Sequence, residues 1–150
     1  MADLSEVWKV LCDTIVADAT IVGLLGAPTG CVIYSEDKIA KLPAYPFLRL
    51  MVVSAASNKF DSGLGRWDLS LQIDVIGPGK AVNWRLAGLL EELLDIPRAR
   101  PAGLSTTSYK ITEMTLDGPV APVGDIGIRD ATGQEIKQLA TTWSMRICRI

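Results

Sequence analysis

Arg66-Trp-Asp-Leu-Ser-Leu-Gln-Ile-Asp-Val-Ile76 alternates polar and apolar residues from Arg66 to Val75. Trp67, Leu69, Leu71, Ile73 and Val75 fall on one side, and Asp68, Ser70, Gln72 and Asp74 on the other. Successive side chains of a strand point to opposite faces, so this pattern predicts a strand with one face on a core and one polar face. Such a half-buried strand belongs to an antiparallel or mixed sheet with helices on one side. The strands of a parallel α/β sheet are apolar on both faces.

The flanking segments supply the partners. Ile136 to Ile150 alternates again through Leu139, Thr141, Trp143, Met145 and Ile147, and Phe47 to Ala55, Cys31 to Tyr34 and Tyr109 to Leu116 are further strand-like runs. Two long helices are predicted. Leu4, Trp8, Leu11 and Ile15 form one stripe behind a capping-box-like Asp3 and Glu6. Val82, Leu86, Leu89, Leu90, Leu93 and Leu94 form the other, over about 81–94. Asp18 is placed to cap a short helical turn carrying Ile21, Leu24 and Leu25. The order is helix, strand, strand, strand, helix, strand, strand. It predicts an α+β fold: a four- to five-stranded, mostly antiparallel sheet with two main helices packed on one face.

Ser57 to Gly65 reads as a flexible hairpin loop, and 98–108 as a connection bearing a proline and serines. Residues 117–134 hold four glycines and two prolines and read as a long flexible loop. A loop of that length inside a compact domain is functional or disordered. It either orders against a neighbour, anchored by Val120, Val123, Ile126 and Ile128, or is a plain surface excursion.

Length and composition bound the function. The 150 residues fit a single domain over 1–150, which buries about 70% of its unfolded surface and needs no disulfide or metal to hold it. The net charge is −2 with no basic tract, so nonspecific DNA affinity lacks an electrostatic source. Cys12, Cys31 and Cys148 are odd in number and widely spaced, which indicates neither a disulfide framework nor a zinc site. The most apolar early stretch, Ala19 to Ala27, is far too short to span a membrane, and the acidic N-terminus does not read as a signal peptide. These features suit a protein made and used inside a cell or packaged into a particle.

Catalytic equipment is sparse. There is no histidine, so Ser-His-Asp and His-Glu-x-x-His arrangements are impossible. Asp68 and Asp74 share a strand face but lie about 20 Å apart at strand rise. A glycosidase-like pair needs about 5 to 9.5 Å, so they read as solvent-facing or interface acids. Ser35-Glu-Asp-Lys38 has the Ser-x-x-Lys spacing but precedes a proline-rich connector and lacks the partner motifs. Asp74-Val-Ile-Gly-Pro-Gly-Lys-Ala81 has the order of a phosphate loop. Asp74 stands where the first glycine belongs, Pro78 removes a backbone donor, and Ala81 cannot hold magnesium. It therefore reads as a strand-to-helix turn with Lys80 in solvent. No cofactor and no metal are expected.

Several stretches together resemble the tail completion or tail terminator proteins of long-tailed bacteriophages and phage-like particles. They are the N-terminal helix, Asp18-Ala-x-Ile-Val-Gly-Leu-Leu25, Val32-Ile-Tyr34, Pro43-x-x-Pro46, the Trp67 to Val75 strand, Leu86-Ala-x-Leu-Leu-x-x-Leu93 and Trp143-Ser-Met-Arg-Ile147. The excursion from Gly118 to Gln134 is longer than the family usually carries.

The resemblance implies a non-enzymatic virion protein assembled in the host bacterial cytoplasm. It implies a homo-oligomeric ring, commonly a hexamer, at the head-proximal end of the tail tube, in the neck. The ring would terminate tube polymerisation and join the tail to the head connector or stopper protein, with DNA passing through unbound. On that reading Asp61, Val120, Val123, Asp125, Ile126, Ile128 and Arg129 are candidate subunit or partner contacts, and Asp68 and Asp74 candidate lumen-facing acids. The alternatives are another neck or baseplate-associated adaptor, or a small nucleotide-binding enzyme using Lys80.

Overall fold

The computed structural model describes residues 4–27, 32–34, 44–58, 65–117 and 120–150. The elements run α1 (Ser5–Val16), α2 (Ala19–Leu24), β1 (Val32–Tyr34), β2 (Phe47–Asn58), β3 (Arg66–Gly77) and α3 (Lys80–Leu94). β4 (Leu104–Ser105), β5 (Tyr109–Leu116), β6 (Ala121–Arg129) and β7 (Glu135–Arg149) follow.

The strands form one seven-stranded sheet of order β1-β2-β3-β7-β5-β4, with β6 paired to β7. Among the described residues only the β1–β2 pair is parallel. The expected α+β class with a mostly antiparallel sheet and helices on one face is the one found, with more strands than the sequence suggests. Register explains the segregation of faces. Leu48, Leu50 and Val52 lie opposite Val75, Ile73 and Leu71, which lie opposite Leu139, Thr141 and Trp143. These rows pack with Val7, Leu11 and Ile15 of α1, Ile21 of α2 and Leu86, Leu90 and Leu94 of α3 in one core. The period-two strands and the helical stripes therefore meet on the same side, as the alternation of residues 66–76 requires.

Two polar groups inside this core are satisfied by each other. The Thr141 hydroxyl donates to the carbonyl of Ile73 at 2.8 Å and accepts from Trp143 Nε1 at 2.8 Å. A buried Thr and a buried Trp thus cost little desolvation. Asp18 caps α2 as expected, its Oδ1 accepting from the Ile21 amide at 3.0 Å. Asp3 of the expected capping box lies outside the described residues. Glu6 instead reaches across the fold, accepting from Thr106 Oγ1 at 2.8 Å and from the Ser108 amide at 3.1 Å. It ties α1 to the β4–β5 turn.

The 117–134 segment is not the expected loop. Residues 121–129 form β6, which continues the line of β5 along the same edge of β7. β7 is 15 residues long, so after β5 has paired with 143–149 it still presents free ladder groups at 135–140. Pro122, Gly124 and Gly127 sit where the ladder tolerates them. The register shifts between Pro122 and Gly124 and again between Asp125 and Arg129. Gly127 has φ of 77°, a left-handed conformation that suits such a bulge. Pro122 is accommodated because β6 pairs with no second strand among the described residues. Of the expected 57–65 hairpin loop, β2 takes residues through Asn58, and 59–64 lie outside the described residues.

Candidate functional site: the helix-free sheet face and the β6–β7 hairpin

The side of the sheet away from the helices carries the polar residues of each strand in register. Ser54, Ser70, Ser144 and Thr115 form one row across β2, β3, β7 and β5. Asp68, Arg146 and Glu113 form the next. Together they floor a shallow depression of about 350 Å³. Arg146 bridges the row, with Nε donating to Asp68 at 3.0 Å and Nη1 to Glu113 at 3.2 Å. Arg66 adds a looser contact to Asp68 at 3.8 Å. The hydrogen bond to Asp68, and next the charge of Glu113, hold the Arg146 guanidinium protonated even more firmly than usual.

The second expected lumen-facing acid departs from the expectation. Asp74 is on the correct face but is wholly buried. Its Oδ2 accepts from Arg49 Nη2 at 2.8 Å and Nε at 3.2 Å, and its Oδ1 from Gln72 at 2.7 Å. Arg49 and Asp74 are direct cross-strand neighbours, and a carboxylate with both oxygens occupied is stable out of water. Asp74 is a structural ion pair and presents no charge to solvent. Beside it the same face carries a small apolar cluster of Phe47, Ile76 and Ile136, packed with Tyr45.

At the far end of β7 the chain turns through a hairpin tip. Asp130 Oδ1 accepts from the Thr132 amide at 2.8 Å, the Thr132 hydroxyl at 2.6 Å and the Gln134 amide at 3.0 Å. Gly133 has φ of 85°, and its carbonyl accepts from Arg129 Nη1 at 3.2 Å. Arg129 also lies 3.5 Å from Glu135. The tip is a built turn, held by side-chain-to-backbone bonds. β7 pairs with β3 only as far as Lys137, so Arg129–Glu135 projects past the end of β3.

Of the expected interface residues, Val120, Ile128 and Arg129 have described side chains, and these three do not share one patch. Val120 packs against the core beneath the helices. Ile128 is exposed beside the hairpin tip, about 25 Å along the strand from Val120. Arg129 is engaged within the hairpin. Val123, Asp125 and Ile126 are on β6, but their side chains lie outside the described residues, as does Asp61 altogether. Sequence reading missed Arg49, Arg146 and Glu113. Each is a charged residue inside a strand-like run, but the opposite charge it faces is set by the cross-strand register.

At the start of α3, Gly79 is the N-cap without a side-chain cap, and Asn83 Nδ2 donates to the Gly77 carbonyl at 3.0 Å. A Cβ on Gly77 would approach Pro46 Cβ to 2.7 Å, so glycine is required by close packing there. Lys80 is exposed and lines an open cleft of about 240 Å³ with Asn83, Trp84, Pro122 and Lys137. The preceding strand lies between antiparallel neighbours, unlike the parallel strand of a phosphate loop. No cluster of three potential metal ligands occurs among the described residues. No described helix is long and apolar enough to cross a membrane.

No protein-family model matches the chain, and no curated protein matches it. Solved structures share its fold. One is a chain of the "Virion of native gene transfer agent (GTA) particle", with a TM-score of 0.62 and 11% identity, covering 97% of this chain and 99% of that one. A second solved chain has a TM-score of 0.52 and 17% identity over 97% of this chain and 92% of its own length.

Proposed function

We propose that this chain is a structural virion protein of a phage-like particle. In this reading it closes into a ring, most simply a hexamer, at the head-proximal end of the tail tube. There it ends tube polymerisation and joins the tail to the head connector. The observation that carries the proposal is the end-to-end fold likeness to a chain of the gene transfer agent virion particle. A likeness covering both chains almost completely supports a shared type of part better than a shared local motif would.

The site chemistry is compatible. The helix-free face is lined by hydroxyls and by acids already neutralised by arginines, so it offers neither a nucleophile–base pair nor an excess of either charge. A lumen lined this way would let DNA pass without holding it, through balanced charge. The projecting β6–β7 hairpin gives a subunit a preformed arm for a heterologous contact, the type that closes rings.

Particles assembled without this chain test the reading. Tails of uncontrolled length, or tails and heads that fail to join, are the expected result under electron microscopy. Infectious particles of normal tail length made in its absence would overturn it.

A further inference from the structure

The outward stripe of α3 contradicts the helix beneath it. Lys80, Trp84, Arg85, Gly88, Glu91 and Glu92 are all exposed and fall on one side of the 15-residue helix. A helix N-terminus carries partial positive charge and its C-terminus partial negative charge, so acids favour the first turn and bases the last. α3 has no acid in its first turn and no base in its last. Its free charges run the opposite way, cations first and anions last. Among the described residues no ion pair engages Lys80, Arg85, Glu91 or Glu92.

Two further choices on this stripe run against the isolated helix. Trp84 is 42% exposed, a large apolar surface facing water. Gly88 sits mid-helix, where a Cβ would meet nothing within 4 Å. Alanine would fit there and favour the helix, so nothing within the chain calls for glycine. Local rules broken together on one exposed face mark a surface built for something else.

The order of charges identifies what covers it. Cations, a glycine and anions spaced about Gly88 make a pattern that is complementary to its own reverse. We propose that this stripe pairs antiparallel with the same stripe of a second copy of this chain, about a two-fold axis at Gly88. With the axis there, Trp84 and Arg85 of one copy lie opposite Glu92 and Glu91 of the other. Glu92 of the other copy, opposite Trp84, also comes within one helical turn of Lys80. The two helix dipoles also run antiparallel, and the glycines let the backbones approach at the crossing. Within one chain the two ends of the stripe are about 18 Å apart, so they cannot satisfy each other. A two-fold contact is self-limiting and uses a surface separate from the sheet face and hairpin, so the proposal does not rest on the ring reading.

The test is performed on the full chain by sedimentation and by crosslinking. The wild type is expected to show a concentration-dependent dimer whose Kd rises about tenfold or more as the Debye length falls from ~20 Å to below 8 Å with added salt. Lys80→Glu with Arg85→Glu, and separately Glu91→Lys with Glu92→Lys, should each abolish the dimer, and mixing the two variants should restore it. The Lys80→Glu change matches the dipole, so the dilute variant should melt at or above the wild-type temperature while losing association. A folding defect cannot produce that split. Under mild oxidation Gly88→Cys should crosslink to itself above the wild-type background, because only a contact centred on this residue places it beside its own copy. A wild type that stays monomeric, a dimer indifferent to both charge reversals, or a Gly88→Cys variant that does not self-crosslink would each overturn the proposal. A stripe that takes a different protein instead would show itself by the first of these outcomes.

Discussion

Arg49 and Asp74 face each other across the β2–β3 ladder at 2.8 Å, with the carboxylate wholly buried and the guanidinium about one-third exposed. Six residues earlier on β3, Asp68 meets Arg146 at 3.0 Å with both partners open to solvent. The two pairs look alike in distance and should differ in energy. Asp74→Asn leaves a cation facing an amide in a desolvated site. We expect a loss of about 2–4 kcal/mol, below the value for a wholly buried pair because Arg49 can still reach water. Asp68→Asn should cost about 0–1 kcal/mol. Urea unfolding of the two variants measures the contrast directly.

The Thr141 hydroxyl joins the Ile73 carbonyl to the Trp143 indole inside the core. Thr141→Val keeps the shape but leaves the indole N–H without an acceptor. It should destabilise by about 1–3 kcal/mol, whereas Thr141→Ser should retain most of the hydrogen bonding. In Thr141→Val with Trp143→Phe the second change should cost less than Trp143→Phe alone. The orphaned donor is then gone, and a double-mutant cycle reads the coupling.

What the sequence makes legible follows from what its periods encode. Period two is clean over 66–75 and over 143–147, and the register then brings Leu71 to Trp143 and Ile73 to Thr141. β6 is invisible because its pairing is irregular: Pro122, Gly124 and Gly127 sit at or beside register shifts, and such residues read as a loop in isolation. Asp74 looked solvent-facing because alternation reports only which face a residue is on. Whether that face is open depends on Arg49 and Gln72 closing over the carboxylate. Lys80 is legible as solvated, but the order of Lys80, Arg85, Glu91 and Glu92 along α3 gains meaning only once Trp84 and Gly88 are seen exposed between them.

Glycines at two helix-associated positions should respond oppositely to alanine. Gly88→Ala meets open space and removes unfolded-chain entropy, so it should raise stability by about 0.5–1 kcal/mol. At Gly26, after α2, a Cβ would collide with the backbone oxygens of Tyr45 and Ala44, and the Gly26 amide donates to the Pro46 carbonyl at 2.9 Å. Gly26→Ala must displace that backbone and should cost about 1–3 kcal/mol. Thermal melting under dilute conditions should therefore move up for one variant and down for the other.

Acid should loosen the hairpin tip before it affects the core. The hydroxyl of Thr132 holds the Asp130 carboxyl below the usual carboxylate range; burial is the next effect and opposes it, and the amides of Gln134, Thr132 and Gly133 add to the lowering. A depressed folded-state value means that the turn's extra stability is fully present above the unfolded value of about 3.9 and is lost as pH falls through the folded one. Between pH 7 and 5 the tip should not change. Below about pH 4 the amide resonances of Thr132 and Gln134 should shift together and their exchange with solvent should quicken, while resonances of Ile73 and Thr141 stay fixed. Asp130→Ala should abolish the low-pH transition and show fast exchange at Thr132 and Gln134 at every pH. A midpoint at or above the ordinary carboxylate value of about 3.9 for the wild-type tip would contradict the assignment of Asp130 as the ionised cap.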